Sequence, residues 1–153
     1  MTALASPTQA DVLGVQDIAI RLADAHATLA LMPEQDRPHG YRLAFGGYGA
    51  IEHRRDERLP VLRPTCRAIT LMAEALGWLE HLRHQPERIR RAVLLRSMVR
   101  SDTGRPLHDW RSLGQQLGCA AETARQAYHR GLDIIVRELR RHCRTPRLGA
   151  VQI

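Results

Sequence analysis

Apolar residues recur early in the chain at Leu13, Ile18, Leu22, Ala25, Leu29 and Met32. The spacing stays near 3.6 residues, which predicts a helix from Gln9 to Met32 with one side turned to a core. Pro33 stops it, since proline lacks the N–H that the next turn needs. This helix carries more buried-type residues than a solvated helix requires, which implies a further contact with a partner or a second copy. The pattern then lapses between Pro33 and Pro64, where four prolines and Gly40, Gly46, Gly47 and Gly49 alternate with Tyr41, Phe45 and Tyr48. Glycine and proline at that density predict loops, with one short helix near Ile51–Arg58. The aromatic residues read as pins that hold the loop on a helical core. Residues 1–8 and 145–153 read as tails.

Helical periodicity resumes at Thr65, which can cap a helix running to about Arg83. Ile69, Met72, Leu76 and Leu79 form one apolar stripe, and Leu71, Ala75, Trp78 and Leu82 form another. Apolar on two sides predicts burial on two sides, so this helix is expected at the centre of the core. Pro86 suits the first turn of the next helix, Glu87 to Val99. That helix turns Ile89, Ala92, Val93 and Leu95 inward, with Arg88, Arg90, Arg91, Arg96 and Arg100 over much of the rest. A turn follows from Ser101 to Pro106. Asp109 can cap a short helix from Trp110 to Leu117, Gly118 breaks it, and a last helix runs from about Ala120 to His142. At 1.5 Å per residue that helix is roughly 35 Å long. The expected fold is all-α: a helical bundle with a C-terminal helix-turn-helix and a long final helix. Residues 9–64 form an N-terminal unit and residues 65–144 the helical core. The scarcity of aromatic residues, 4%, agrees with packed helices rather than a β-sandwich.

Trp110 to His129 reads WRSLGQQLGCAAETARQAYH. A helix-turn-helix needs a small residue where the second helix crosses the first, and Gly114 supplies it. It needs a turn residue that tolerates positive φ, and Gly118 supplies that. Leu113, Leu117, Cys119, Ala124 and Ala127 sit where the inside corner must be sealed. In such a motif the second helix presents its N-terminal side chains to the major groove. Its outward positions are Ala121, Glu122, Arg125, Gln126 and His129. An arginine there can fork onto guanine and a glutamine can pair with adenine. Arg130, Arg137 and Arg141, with Arg140 and Arg144 adjacent, suit phosphates. Arg111 and Ser112, with Trp110, open the preceding helix, whose N-terminus is expected to point at a phosphate. Ala120 stands where a serine or threonine cap is usual, a loss of about 1 kcal/mol. The outward set is poor in base-reading groups, so modest sequence specificity is expected. The long helix is expected to project from the body as a positively charged rod.

The charge distribution strengthens this reading. The net charge is +7, but residues 1–60 hold six Arg against eight acids, whereas residues 61–153 hold seventeen against eight. A basic half beside a near-neutral half implies a polyanionic partner, here double-stranded DNA. Every basic side chain other than histidine is arginine, and a guanidinium fork matches phosphate and guanine edges better than an ammonium does.

The remaining signals are mostly exclusions. Cys66, Cys119 and Cys143 are odd in number and far apart, so neither a disulfide framework nor a zinc site is indicated, and a reducing, cytoplasmic setting is expected. No apolar run is long enough to span a bilayer, and the N-terminus lacks the basic start of a secretory signal. His81 and His84 share a helix face without a third ligand, and His129 with His142-Cys143 is equally incomplete. No nucleophile elbow, phosphate loop or H-E-x-x-H is present, so no catalytic residue, metal or cofactor is expected.

The chain resembles an uncharacterised family of small prophage-associated helix-turn-helix proteins of alphaproteobacteria. The likeness covers about residues 12–142. It is carried by the long first helix, Gly40-Tyr41-Arg42-Leu43-Ala44-Phe45, then Ala75-Leu76-Gly77-Trp78-Leu79-Glu80-His81-Leu82, then the arginine-rich helix and the helix-turn-helix. The C-terminal part is similar to the sigma-factor region that reads the −35 element and to small subunits of phage terminases. Matching positions are Trp110, Leu113, Gly118, Thr123, Ala124 and the arginine-bearing last helix. Ala120 departs from the pattern, as does the long stretch Ser101–Arg105. The resemblance implies DNA binding by the last two helices. It leaves open a terminase small subunit, which would form a homo-oligomer and meet a terminase ATPase, and a sigma-like or dimeric regulator, which would meet RNA polymerase. A helical protein-interaction module that binds no DNA is the reading from a different class.

Overall fold

The computed structural model describes residues 13–32, 63–100 and 103–144. The expected tails, the loop segment through Leu62 and the short helix near Ile51 lie outside them. The described residues form five α-helices: α1 (Val15–Leu31), α2 (Cys66–Gly77), α3 (Glu87–Ser97), α4 (Trp110–Leu117) and α5 (Ala121–Arg144). A 3-10 helix, Trp78–Leu82, continues α2. The fold is all-α, as the periodicity predicts. No helix among the described residues is long and apolar enough to cross a membrane.

α1 begins at Val15, later than the pattern suggested. The Asp17 carboxylate accepts the Gly14 N–H at 2.8 Å and so closes the helix start. Ile18, Leu22, Ala25, His26 and Leu29 are buried along one side. Ile20 and Leu31 lie on the opposite side and are exposed.

Thr65 caps α2 as expected, its hydroxyl accepting the Ala68 N–H at 3.1 Å. The helix does not continue to Arg83. It tightens into the 3-10 ladder just after Gly77, the weakest helix former of the run. Trp78 and Leu82 both remain buried. The expected central position of this segment is not observed. Leu71 of the second stripe is exposed, and α2 packs mainly on α1. α5 is the central helix instead, touching α1, α3, α4 and the 3-10 helix. It can do so because its buried side is continuous, with Ala127, Tyr128, Leu132, Ile135 and Val136 all in the main core. Gly131 lets α3 approach closely: a Cβ there would lie 2.3 Å from Val93 Cγ2.

Pro86 occupies the cap position of α3 rather than its first turn. The helix ends at Ser97, two residues early, where the Ser97 hydroxyl donates to the Val93 carbonyl at 2.6 Å. Met98 then turns extended and the chain enters a small β-hairpin in place of the expected simple turn. Val99 and Pro106 form an isolated antiparallel bridge. Leu107 N donates to Met98 O at 2.8 Å, and Arg100 N to Arg105 O at 2.8 Å. Gly104, with φ of 65°, turns the tip. The hairpin returns the chain to α3 at the start of α4. A second, smaller core lies there, made of Leu95, Met98, Leu113 and Ala124.

Candidate nucleic-acid interface

The corner between α4 and α5 is built by two glycines. A Cβ on Gly114 would lie 2.7 Å from Cys119 O and 3.0 Å from Ala121 N, so only glycine fits without moving backbone. Gly118 adopts φ 67°, ψ 34°, the left-handed region that a side chain disfavours. Its N–H and that of Cys119 bond back to carbonyls of α4. Leu113 and Ala124 are fully buried, with Leu117 and Cys119 packed partly against them, and Ala127 joins the main core. Four of the five residues expected to seal the corner pack there, and Ala127 packs in the main core instead. Ala124 N bonds Ala120 O at 3.0 Å. Ala120 therefore sits at the cap of α5 with no side-chain acceptor to offer.

A feature the sequence reading missed holds this corner to the rest of the domain. Arg96, expected on the outer side of α3, is half-buried. Its guanidinium lies 4.1 Å from the centre of the Trp110 ring, and Nη1 donates to the His108 carbonyl at 2.5 Å. Trp110 in turn meets Tyr128 edge-on, ring centres 5.5 Å apart. Burial lowers the Arg96 pKa, while Tyr128 and Asp109 push the other way. Burial also raises the Tyr128 hydroxyl, partly offset by Arg96. Cation–π and ring contacts of this kind contribute roughly 0.5–2 kcal/mol each. The readable signal was spacing: Arg96 follows Val93 by three and Ile89 by seven, on the inward stripe.

The start of α4 therefore differs from expectation. Trp110 turns inward under Arg96 rather than toward a phosphate. The half-buried Ser112 gives its N–H to the Asp109 carboxylate at 2.7 Å, and that carboxylate places a negative charge at the helix N-terminus. Arg111 remains exposed.

On α5, Glu122, Arg125, Gln126, His129, Arg130, Asp133, Arg137, Arg140 and Arg141 are all exposed, and Ala121 is half-buried. At 3.6 residues per turn these exposed positions fall within an arc of about 160°. The structure thus brings the expected outward set onto one surface opposite the core. The helix does not project as a free rod, since its inner side is packed along the domain. Its guanidinium side is uncovered by the described residues. Arg125 lies 3.9 Å from Glu122, and Arg141 donates to Glu138 at 2.8 Å. Exposed pairs of this kind contribute about 0–1 kcal/mol. They steer the guanidiniums without neutralising a face on which arginine outnumbers acid.

The histidines gather differently from their sequence spacing. His81 meets His142 of α5, ring centres 5.4 Å apart, rather than acting with His84. Among the described residues no group of three or more His, Cys, Asp or Glu could hold a metal. All three cysteines are free thiols.

In comparisons with known protein families, curated proteins and solved structures, the chain matches none.

Proposed function

We propose that the protein binds double-stranded DNA, laying the outer side of α5 against the major groove. The observation that carries this reading is the corner at Gly114 and Gly118. It fixes a long helix whose solvent side bears Arg125, Gln126, His129, Arg130, Arg137 and Arg141. Near the N-terminus of that helix, Arg125 forks onto guanine and Gln126 pairs with adenine. Arg130, Arg137 and Arg141, further along, neutralise phosphates. Arg111 adds a phosphate contact from α4. Base-reading groups are few, so affinity rests mainly on the backbone and sequence preference is modest.

A phage-type role, as the sequence resemblance implies, is either that of a terminase small subunit or that of a sigma-like or dimeric regulator. In either role the protein recruits a larger machine, a terminase ATPase or RNA polymerase. A second reading, a helical interaction module without DNA, draws on Ile20 and Leu31, exposed apolar residues on the outer side of α1.

Binding to duplex DNA over a range of salt concentrations tests the proposal. The log–log slope is expected to reach several units, because each neutralised phosphate contributes about 0.9. Arg125→Ala weakens a preferred site more than bulk DNA, and Arg141→Ala weakens all duplexes alike. Equal affinity of the wild type and both variants overturns the assignment. Oligomer size then separates the roles: a large ring favours packaging, a dimer favours regulation.

A further inference from the structure

The crossing of α3 and α5 gathers cationic side chains at the edge of the surface assigned to DNA. Gly131 makes that crossing close: a Cβ there would lie 3.2 Å from Ile89 Cγ2 and 3.8 Å from Ile89 O. Arg88 and Arg130, the residues just before those two, therefore leave their helices at the same crossing. Both are exposed, and both line one cleft of about 450 Å³ together with Thr123 and Gln126. Ile89 and Ala127, both buried, give the cleft an apolar floor. Among the described residues no acid lines it. The ion pairs of the described residues engage other arginines, namely Arg91, Arg125 and Arg141.

This cleft is continuous with the outer side of α5. Gln126 and Arg130 line it and also line the broad groove that holds Arg125, His129 and Arg137. Gln85, from the turn that leads into α3, lines that broad groove as well. The start of α3 thus flanks the outward set. A helix about 10–12 Å across fills a major groove about 12 Å wide, so backbone phosphates run along both of its flanks. We propose that Arg88 and Arg130 clamp one backbone phosphate on the α3 flank, with the Thr123 hydroxyl as a further donor. This rests on the DNA-binding reading and adds α3 to its footprint. Guanidinium forks make strong charge-assisted hydrogen bonds to phosphate, and no ion pair of either arginine has to be broken first. The clamp reads no base; it fixes the register of α5 on the duplex.

The test uses the full chain and a mixed-sequence duplex, with Arg88→Gln, Arg130→Gln and the double variant. Arg90→Gln is the control for loss of charge. Arg90 lies two residues on, about 160° around α3, and is not among the residues lining either groove. Losing one phosphate contact lowers the salt slope by about 0.9, which corresponds to about 5-fold weaker binding at roughly 0.15 M salt. The double variant is expected to show that one loss. Two separate phosphates would instead give about 1.8 and about 30-fold. The two single losses multiply to about twice the double loss or more, because side chains that share a partner couple. A fall in slope of 1.8, no fall at all, or equal weakening by Arg88→Gln and Arg90→Gln overturns the clamp and leaves the α5 reading standing. A wild type that shows no salt-dependent binding overturns the α5 reading itself.

Discussion

Replacing Gly131 by alanine puts the contact between α3 and α5 to a quantitative test. The new Cβ would sit 2.3 Å from Val93 Cγ2 and 3.2 Å from Ile89 Cγ2. Non-bonded carbons prefer about 3.5–4.0 Å, so the first overlap exceeds 1 Å. Val93 is fully buried, and helical valine is held in a single χ1 well about 90% of the time, so rotation offers little relief. Overpacking of this kind costs about 1–3 kcal/mol. Against it stands the better helix propensity of alanine, a gain of about 0.8–1.0 kcal/mol. The net expectation is a loss of roughly 0–2 kcal/mol. Gly77 is the control, because a Cβ there meets nothing within 4 Å. Gly77→Ala is expected to stabilise by about 0.5–1 kcal/mol. The sharper measurement is a double-mutant cycle with Val93→Ala, followed by urea denaturation and circular dichroism. The double variant should exceed the additive expectation by about 1–3 kcal/mol, since the alanine methyl then fills space that Val93 vacated. If Gly131→Ala matches Gly77→Ala in gain and shows no coupling to Val93, the close approach of α3 and α5 is refuted.

Two further expectations follow from single residues. Ala120→Ser should supply the missing cap of α5 and raise stability by about 1 kcal/mol, read from the urea midpoint; an unchanged midpoint would mean the cap position lies elsewhere. Burial holds the His26 imidazole below its ordinary 6.5, outweighing the carbonyl of Leu22 that favours the charged form. The unfolded chain therefore takes up this proton first, so the stability it contributes is full above pH 6.5 and declines as pH falls below it. His108 is shifted in the same direction, chiefly by burial. His26→Leu should flatten the decline in denaturation midpoints recorded on acidification, and an equally steep decline would assign it to other groups.

The helices and the corner were legible because each rests on a local rule. A glycine at the crossing, a glycine at the bend, an aspartate cap and a 3.6-residue apolar stripe are readable one turn at a time. What was missed depends on contacts between distant residues. The burial of Arg96 arises from Trp110, fourteen positions away, and a charged residue on an inward stripe reads as surface until the ring above it is known. The hairpin has only one bridge, too short for a period-2 pattern to register. Gly131 looks like a weakness inside a helix until Val93 is set against it. The central role went to α5 rather than the doubly striped α2 segment because Leu71 stays exposed, while α5 offered an unbroken apolar side. Stripe width measures how much a helix can bury, but the neighbours decide how much it does.

The helix on which α1, α3, α4 and the 3-10 helix lean is also the one that turns its other side outward, and this ties occupancy to integrity. A reading head mounted on a loop can disorder by itself. Here the outer rows cannot loosen unless the hydrophobic spine behind them does. Any polyanion gripping that side therefore acts as a fold stabiliser, adding about 2.7 kcal/mol when present at 100 times its dissociation constant. On the DNA-binding proposal, substitutions along the inner rows become affinity mutations in disguise.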